Sequence, residues 1–303
     1  MHLTDLVEEY CYHCMAKGFT KKTMINKRQE LKQVLKFLRE KRGIEKLENV
    51  TTHDLKAYIR QKQSSGLQVS SIRSMHKTVA AFFNWCMLEE YSNENLMKKV
   101  ECPKAKEKIL TAFTEDEVYR MINCFSYENY IESRNKAIIA MLADCGLRAM
   151  EIRTLKNSDI KETSIHVSGK GGKERVVYIS PALKKILIKY ERLKTKYFKD
   201  KIIHDRYFLS YAGRELSHVG LDNLVKLAGK RARVNKERVS PHMFRHFFAV
   251  QSLASGNLDV YSLSRLLGHA DISVTQRYLH TLSIGKILEK AKASSPLMTM
   301  GRK

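Results

Sequence analysis

The chain has 303 residues, enough for two domains with substantial hydrophobic cores. Its 55 lysines and arginines against 32 aspartates and glutamates give a net charge of +23, and a hydrophobic content of 43% excludes wholesale disorder. Because both parts of the chain are basic, the charge predicts a polyanionic partner, with DNA or RNA as the first candidate.

Neither a membrane span nor a metal centre is predicted. No apolar run reaches the length of a transmembrane helix, residues 1–5 lack the pattern of a signal peptide, and no lysine cluster adjoins a hydrophobic anchor. We therefore expect a cytoplasmic protein with no membrane partner. Cys11 and Cys14 form a C-x-x-C, but no second pair stands at zinc-site spacing, so we expect reduced thiols at a helix interface.

The first part of the chain carries four helical patterns. Apolar residues at helical spacing predict helices over about residues 4–17, 20–41, 51–65 and 70–86. These predict a small all-α domain over residues 1–98. Residues 99–112 have few periodic signals and several lysines, which indicates a basic linker before a second domain, residues 113–303.

The second domain is predicted to be mainly α-helical with a small β-hairpin, which makes the fold α+β. Thr114 and Glu117 form a capping box that opens a helix. Patterns for further helices cover about residues 134–144, 181–197, 221–234 and 284–291, the last followed by a polar tail, and residues 207–209 resemble a short strand. Strand-like residues 164–167 and 175–179 flank a glycine-rich turn with a lysine at its tip.

The stretch from Ser240 to His280 gathers unusual chemistry. His242 and Arg245 are three residues apart in an apolar run, which places them on one helical face. His269 follows Gly268, and Tyr278 stands nine residues further on. Two imidazoles, a guanidinium and a phenol this close together indicate an anion site that contains a nucleophile.

Residues 240–280 have two other interpretations. His242 and His246, one helical turn apart, have the spacing of a metal-ligating pair. Arg245 shares much of that face and opposes a divalent cation, and residues 240–254 contain no aspartate or glutamate. The remaining alternative is a partly buried polar face without chemistry.

Residues elsewhere strengthen the functional interpretation. The set in chain order is Arg148, Lys170, His242, Arg245, His269 and Tyr278. This order resembles the active site of the tyrosine recombinases, or phage integrase family, and the stretch from Ser240 to Tyr278 is similar to Xer-type members. The resemblance covers about residues 111–280 by motif and the N-terminal part by layout only. It implies a helical core-binding domain and a catalytic domain that close round a duplex.

The resemblance also implies roles. Tyr278 would attack the scissile phosphate, giving a 3′-phosphotyrosyl link and a free 5′-hydroxyl, while Arg148 and Arg245 hold the non-bridging oxygens. Lys170 would protonate the leaving oxygen, with Lys173 as a rival for that role. No metal or cofactor is expected, and the glycine-rich turn is not a P-loop because Ser or Thr does not follow its lysine at the required spacing.

The remaining side chains would support these. His242 would accept the tyrosine proton or bond to the phosphate, and His269 would donate a hydrogen bond to a phosphoryl oxygen. Glu151 would orient Arg148 or its helix, and His246 would support the site from behind.

The expected partner is a double-stranded DNA recombination site. Basic residues on helix starts and outer faces are the candidate phosphate contacts, although any one of them alone is more often a solvated surface charge. They are Lys21, Lys22, Lys27, Arg28, Arg73 and Lys77 in the first domain and Lys226, Lys230, Arg231 and Arg233 in the second.

The family resemblance implies a homotetramer on two duplexes, strand exchange through a Holliday junction, and association with the nucleoid. The C-terminal helix would pack into a neighbouring protomer or fold back on its own domain. The expected task is integration and excision, or resolution, of a mobile element or replicon, with or without an accessory DNA-binding protein. A DNA-relaxing enzyme of the type IB topoisomerase class and a non-catalytic DNA-binding factor of the same fold are the alternatives.

Overall fold

The computed structural model describes residues 1–104, 112–169, 174–256, 258–269 and 271–279. The chain divides into two compact units, Met1–Lys108 and Ile109–Lys303. Several sequence predictions lie outside the described residues: Lys170, Lys173, most of the linker, and the helix expected at residues 284–291.

Four helices form the N-terminal unit: α1 (Leu3–Ala16), α2 (Lys21–Arg42), α3 (Thr52–Ser64) and α4 (Val69–Leu88). Threonine caps set the starts of α2 and α3. The Thr20 side chain accepts from the Thr23 backbone N–H, and Thr51 forms a capping box with Asp54. Side chains from all four helices make one apolar core, in which Cys11 and Cys14 are buried. The prediction of a small helical domain is confirmed.

The second unit is built around one buried helix. Its first helices are α5 (Glu115–Asn123), which Thr114 and Glu117 cap as predicted, α6 (Tyr130–Cys145) and α7 (Ala149–Thr154). After the hairpin come α8 (Pro181–Tyr197), α9 (His218–Arg231), α10 (Pro241–Ala254), α11 (Val260–Leu267) and α12 (Ser273–Gln276). Helix α6 packs against α5, α8, α9 and α10 and is buried on almost every side, so it is the centre of this unit.

Two helices begin earlier than the sequence predicted. The helix expected from Arg134 begins at Tyr130 because the Asn129 side chain accepts from the Glu132 backbone N–H and caps it. The helix expected from Leu221 begins at His218 because Ser217 caps it in the same way. In both cases a polar capping residue, not the first apolar residue, sets the start.

The predicted hairpin is confirmed. Strands β1 (Ser164–Ser168) and β2 (Glu174–Tyr178) pair antiparallel, with Ser164 opposite Tyr178 and Ser168 opposite Glu174. Ile165 and Val177 are buried and face the core.

The short strand predicted at residues 207–209 was wrong. Only isolated bridges occur there, between Lys156 and Arg206 and between Leu209 and Glu215. Side chains rather than a neighbouring strand satisfy the buried carbonyls: Tyr207 O accepts from Lys194 Nζ, and Leu209 O accepts from Arg134 Nη1. The apolar run is therefore a buried connection.

Helices α10 and α11 share a second, smaller core. Ala249 and Leu253 of α10 meet Leu263 and Leu267 of α11, and the ring of Tyr278 packs on this cluster. Within the ranges that the structure describes, no helix is both long enough and apolar enough to cross a membrane.

Candidate active site

The turn after α6 positions the first arginine. Helix α6 ends at Gly146 in the left-handed conformation, with φ +58°, and Arg148 is the residue that precedes α7. Glu151, on the first turn of α7, accepts from the Arg148 backbone N–H at 2.8 Å and from Arg148 Nη1 at 2.9 Å. The Arg148 side chain is held in place while about a third of it stays exposed.

Helix α10 supplies the second arginine. Arg245 is 4% exposed and donates from Nη1 to Gly146 O at 2.9 Å and from Nη2 to Leu267 O at 2.6 Å. Burial, followed by the positive charge of Arg148, lowers the pKa of Arg245 to about 10. It remains charged at neutral pH, with the Glu151 carboxylate and two backbone carbonyls as its partners.

His242 lies one turn before Arg245 at the exposed start of α10. Partial desolvation and then the charges of Arg245, Arg238 and Arg148 lower the pKa of its imidazole. A neutral imidazole beside several guanidiniums has a free lone pair, which suits it to accept a proton.

His269 follows the end of α11, and its Nδ1 lies 2.7 Å from the hydroxyl of the fully buried Thr275. Burial and the charges of Arg245, Arg148 and Arg175 lower the pKa of His269 to about 4. The ring is therefore neutral at pH 7, and one of its nitrogens is engaged by Thr275.

Tyr278 lies just after α12, half-buried between two histidines. Its ring centroid is 5.1 Å from that of His246 and 6.2 Å from that of His269. His246 is 7% exposed and its ring lies against that of Tyr278, while its supporting role stays a prediction.

Arg175 belongs to this site but was not predicted from the sequence. Its guanidinium donates from Nη1 and Nη2 to the two oxygens of Glu151, both at 2.8 Å, and from Nε to Leu266 O at 2.8 Å. The strand pattern could have identified it. Arg175 and the buried Val177 occupy the same face of β2, so a charged residue stands at an inward position, which is unusual without a buried partner.

The structure thus brings together five of the six predicted catalytic residues, since Lys170 lies outside its described part. The five are Arg148, His242, Arg245, His269 and Tyr278, around the Gly146 turn and the ends of α10 to α12. Among the described residues, no group of three or more histidine, cysteine, aspartate or glutamate side chains is arranged to hold a metal ion.

The candidate phosphate contacts fall into two groups. Lys21, Lys22, Arg73, Lys77, Lys230 and Arg233 are exposed. The others have protein partners: Lys27 donates to Tyr10 Oη, Arg28 pairs with Glu8, Lys226 with Asp222, and Arg231 with Glu132. The second group already contributes to packing or to local ion pairs, which the sequence did not indicate.

Comparison with known proteins identifies the family of this chain. The model of the phage integrase family matches residues 111–283, and that of the phage integrase N-terminal SAM-like domain matches residues 7–90. The chain is 29% identical to tyrosine recombinase XerD of Halalkalibacterium halodurans, over 87% of this chain and 88% of that protein. It is 30% identical to tyrosine recombinase XerD of Rickettsia bellii, over 82% and 85%.

The fold is shared with the solved structure of the XerH site-specific recombinase bound to palindromic difH substrate, a post-cleavage complex. The TM-score is 0.74 and the sequence identity 18%, and the match covers 96% of this chain and 84% of the XerH chain.

Proposed function

Because the chain belongs to the phage integrase family, we propose that it is a site-specific DNA recombinase that cleaves and rejoins DNA through a phosphotyrosyl intermediate. The observation that carries this proposal is the convergence of two arginines, two histidines and a tyrosine from separate elements. Residues 148, 242, 245, 269 and 278 meet although they are far apart in the sequence. The names of the curated relatives favour strand transfer over supercoil relaxation or DNA binding without catalysis.

In the proposed reaction, Tyr278 Oη attacks the scissile phosphorus. A bond forms between phosphorus and the tyrosine oxygen, and the bond from phosphorus to the 5′-oxygen breaks. The protein keeps the 3′-phosphate, and the downstream segment of the cut strand leaves with a 5′-hydroxyl. Because the phosphotyrosyl ester keeps the bond energy, attack by another 5′-hydroxyl reverses the step and needs no ATP.

Arg148 and Arg245 act on the charge that develops on the non-bridging oxygens. A guanidinium fork bonds two phosphate oxygens at once, and such preorganised donors stabilise a phosphorane-like transition state. Arg245 is charged at pH 7 although it is buried, so binding an anion relieves an electrostatic cost that the free protein carries.

Two neutral imidazoles and one charged lysine handle the protons in the proposed reaction. The lowered pKa of His242 favours the form that accepts the tyrosine proton, and neutral His269 donates a hydrogen bond to a phosphoryl oxygen. Lys170, with Lys173 as the alternative, donates the proton to the leaving 5′-oxygen. Lys170→Ala is expected to abolish cleavage, and cleavage at the wild-type rate by that variant together with loss in Lys173→Ala would reassign the role.

We propose the following assembly. Residues 1–98 form the core-binding domain, residues 99–112 the linker, and residues 113–303 the catalytic domain. Four copies act on two duplexes, with the C-terminal segment exchanged between protomers. The exposed lysines and arginines named above supply the phosphate contacts.

The test is a covalent trap. The full chain is incubated in EDTA with a nicked suicide duplex taken from the DNA that flanks its gene, and covalent complexes are separated on a denaturing gel. The wild type and Tyr261→Phe, a control at an exposed tyrosine on α11, are expected to give the band, and Tyr278→Phe is expected to give none. A Tyr278→Phe band equal to that of the wild type would exclude this nucleophile.

Strand exchange is measured with two marked sites. Joined products are expected from the wild type. Relaxation of supercoils without exchange would point to a topoisomerase, and a native shift without a covalent band would point to a binding protein.

A further inference from the structure

Three consecutive backbone carbonyls at the end of α11 each accept a hydrogen bond from a different arginine. The carbonyls of residues 266, 267 and 268 accept from Arg175 Nε at 2.8 Å, Arg245 Nη2 at 2.6 Å and Arg148 Nη2 at 3.0 Å. The last carbonyls of a helix lack partners within it and attract cations. The end of α11, directly before His269, is therefore fixed by three guanidiniums.

Arg175 differs from the other two because both of its terminal nitrogens donate to a buried carboxylate, whereas Arg148 donates to that carboxylate through Nη1 alone and Arg245 donates to backbone carbonyls. Its side chain is 10% exposed and that of Glu151 is 6% exposed. Two parallel hydrogen bonds of 2.8 Å join them in the bidentate geometry that makes such pairs strong. The same carboxylate holds the backbone and side chain of Arg148.

We propose that Arg175 is a positioning residue of the active site. Its bonds to Glu151 hold the carboxylate that positions Arg148, and its bond to Leu266 O holds the turn that carries His269. The distance between Arg148 and His269 is therefore fixed before DNA binds. This inference rests on the proposed function, because it assigns Arg175 a part in the same reaction.

The space around residue 268 supports this assignment. A Cβ added to Gly268 would lie 3.2 Å from Arg175 Cδ and 3.3 Å from Arg175 Nη1, closer than side chains normally pack. A side chain at residue 268 would therefore require the Arg175 side chain to shift by a few tenths of an ångström, so Arg175 packs directly on this turn.

Arginine suits position 175 because its planar guanidinium presents separate nitrogens to the two oxygens of Glu151 and to Leu266 O. A lysine brings the same charge and three donors, but all three are on one nitrogen and cannot reproduce the parallel pair of hydrogen bonds to the carboxylate. Arg175→Lys thus separates charge from geometry. Because misplacing a reacting group by about 1 Å can slow a reaction on the order of 10²-fold, the geometric loss should be measurable.

The experiment uses the full chain and the suicide duplex described above under single-turnover conditions. We expect Arg175→Lys and Arg175→Met to form the covalent complex roughly 10- to 100-fold more slowly than the wild type, at an unchanged affinity for the duplex. Arg192→Lys, at an exposed arginine of the same unit, is the matched control and should react at the wild-type rate. Far-UV circular dichroism checks that each variant is folded.

A purely structural role would not predict two further readouts. In Arg175→Met the Glu151 carboxyl loses its strongest partner, so cleavage should fall at a higher pH on the acidic side than in the wild type. In addition, Glu151→Gln should cost much less in the Arg175→Met background than alone, because both changes break the same link.

Two outcomes separate this inference from the proposed function. If the wild type gives no covalent complex on any duplex, the proposed function is wrong, and Arg175 then has no role in DNA cleavage. If the wild type cleaves and Arg175→Lys and Arg175→Met cleave equally well, Arg175 does not position the site. Carbon-13 NMR of the Glu151 carboxyl in DNA-free protein tests the link without activity, and an unchanged titration in Arg175→Met would overturn it.

Discussion

The hydroxyl of Thr275 lies 2.7 Å from Nδ1 of His269, in a part of the protein where Thr275 has no solvent exposure. A neutral imidazole has one donor and one acceptor nitrogen, and the low pKa of His269 makes it neutral at pH 7. If the hydroxyl donates to Nδ1, the proton of the ring is on Nε2, the nitrogen that remains to donate to a phosphoryl oxygen. We propose that Thr275 holds His269 in this tautomer, which the proposed reaction needs.

Thr275→Val tests this relationship because valine keeps the shape and removes the hydroxyl. We expect covalent complex formation to slow by on the order of tenfold, and nitrogen-15 spectra to change from the Nε2–H tautomer to a mixture. Thr275→Ser keeps the hydroxyl and should retain both the rate and the tautomer. A wild-type spectrum with the proton on Nδ1 would contradict the assignment.

Glu151 should make acid stability depend on pH. Burial alone would raise the pKa of its carboxyl, but hydrogen bonds from Arg175 and from the Arg148 backbone, together with the charge of Arg175, lower it to about 2. Relative to an ordinary value of 4.5, this contributes about 3 kcal/mol to the free energy of unfolding. Because the folded-state pKa is depressed, the contribution is complete above the unfolded pKa and is lost as the pH falls from 4.5 towards 2.

The matching variant is Glu151→Gln. At pH 7 we expect urea unfolding of the second unit, followed by far-UV circular dichroism, to show a loss of about 3 kcal/mol, and at pH 3 most of that difference should have disappeared. Trp85, the single tryptophan, lies in the N-terminal unit, so its fluorescence transition is an internal control that should not move. An equal loss at both pH values would mean that the effect is steric.

Gly146 should tolerate no side chain. Its φ of +58° is in the left-handed region, and a Cβ there would overlap the ring of Phe248 and lie 3.2 Å from Leu267 Cδ2. Gly43 has a φ of +67° with nothing within 4 Å of such a Cβ, so Gly43→Ala carries the backbone cost alone, about 1–2 kcal/mol. Gly146→Ala should add an overpacking cost of about 1–3 kcal/mol.

Gly146→Ala should also slow DNA cleavage, because Gly146 O accepts from Arg245 and any shift of the turn moves that guanidinium. Urea unfolding and the covalent trap measure the two effects. Equal destabilisation by Gly146→Ala and Gly43→Ala would show that the Phe248 ring moves aside freely.

Lys22 and Lys27 lie on the same helix but should behave differently in DNA binding. Lys22 is exposed, whereas Lys27 donates to Tyr10 Oη at 2.8 Å and lies over the rings of Tyr10 and Phe19. For Lys22→Gln we expect the slope of log affinity against log salt to fall by about 1, as for the loss of one phosphate contact.

For Lys27→Met we expect an unchanged salt slope and a less stable N-terminal unit. Trp85 fluorescence reports that loss, since the rings of Tyr10 and Trp85 are 5.4 Å apart. A reduced salt slope in Lys27→Met would place this lysine on the DNA despite its contacts with the aromatic rings.

Helix faces, helix starts and the hairpin could be predicted from the sequence, because each depends on residues that are close together along the chain. The spacing of His242 and Arg245 placed them on one helix, the pair Thr114 and Glu117 set a helix start, and strand-like runs on both sides of a glycine-rich turn predicted the hairpin. These features follow from residues within one turn or one strand of each other, so a linear pattern records them.

Contacts between residues that are far apart in the sequence could not be predicted and are seen only in the folded structure. Arg175 bonds Glu151 and Leu266, which are 24 and 91 residues away, and Arg245 bonds Gly146, which is 99 residues away. Likewise, the partner of Lys27 is on another helix, and buried side chains rather than a strand satisfy the carbonyls near residues 207–209. A residue type states what it can donate or accept, but its partner is set by how the helices pack, because burial forces each polar group to pair with whatever donor or acceptor the packing brings within reach.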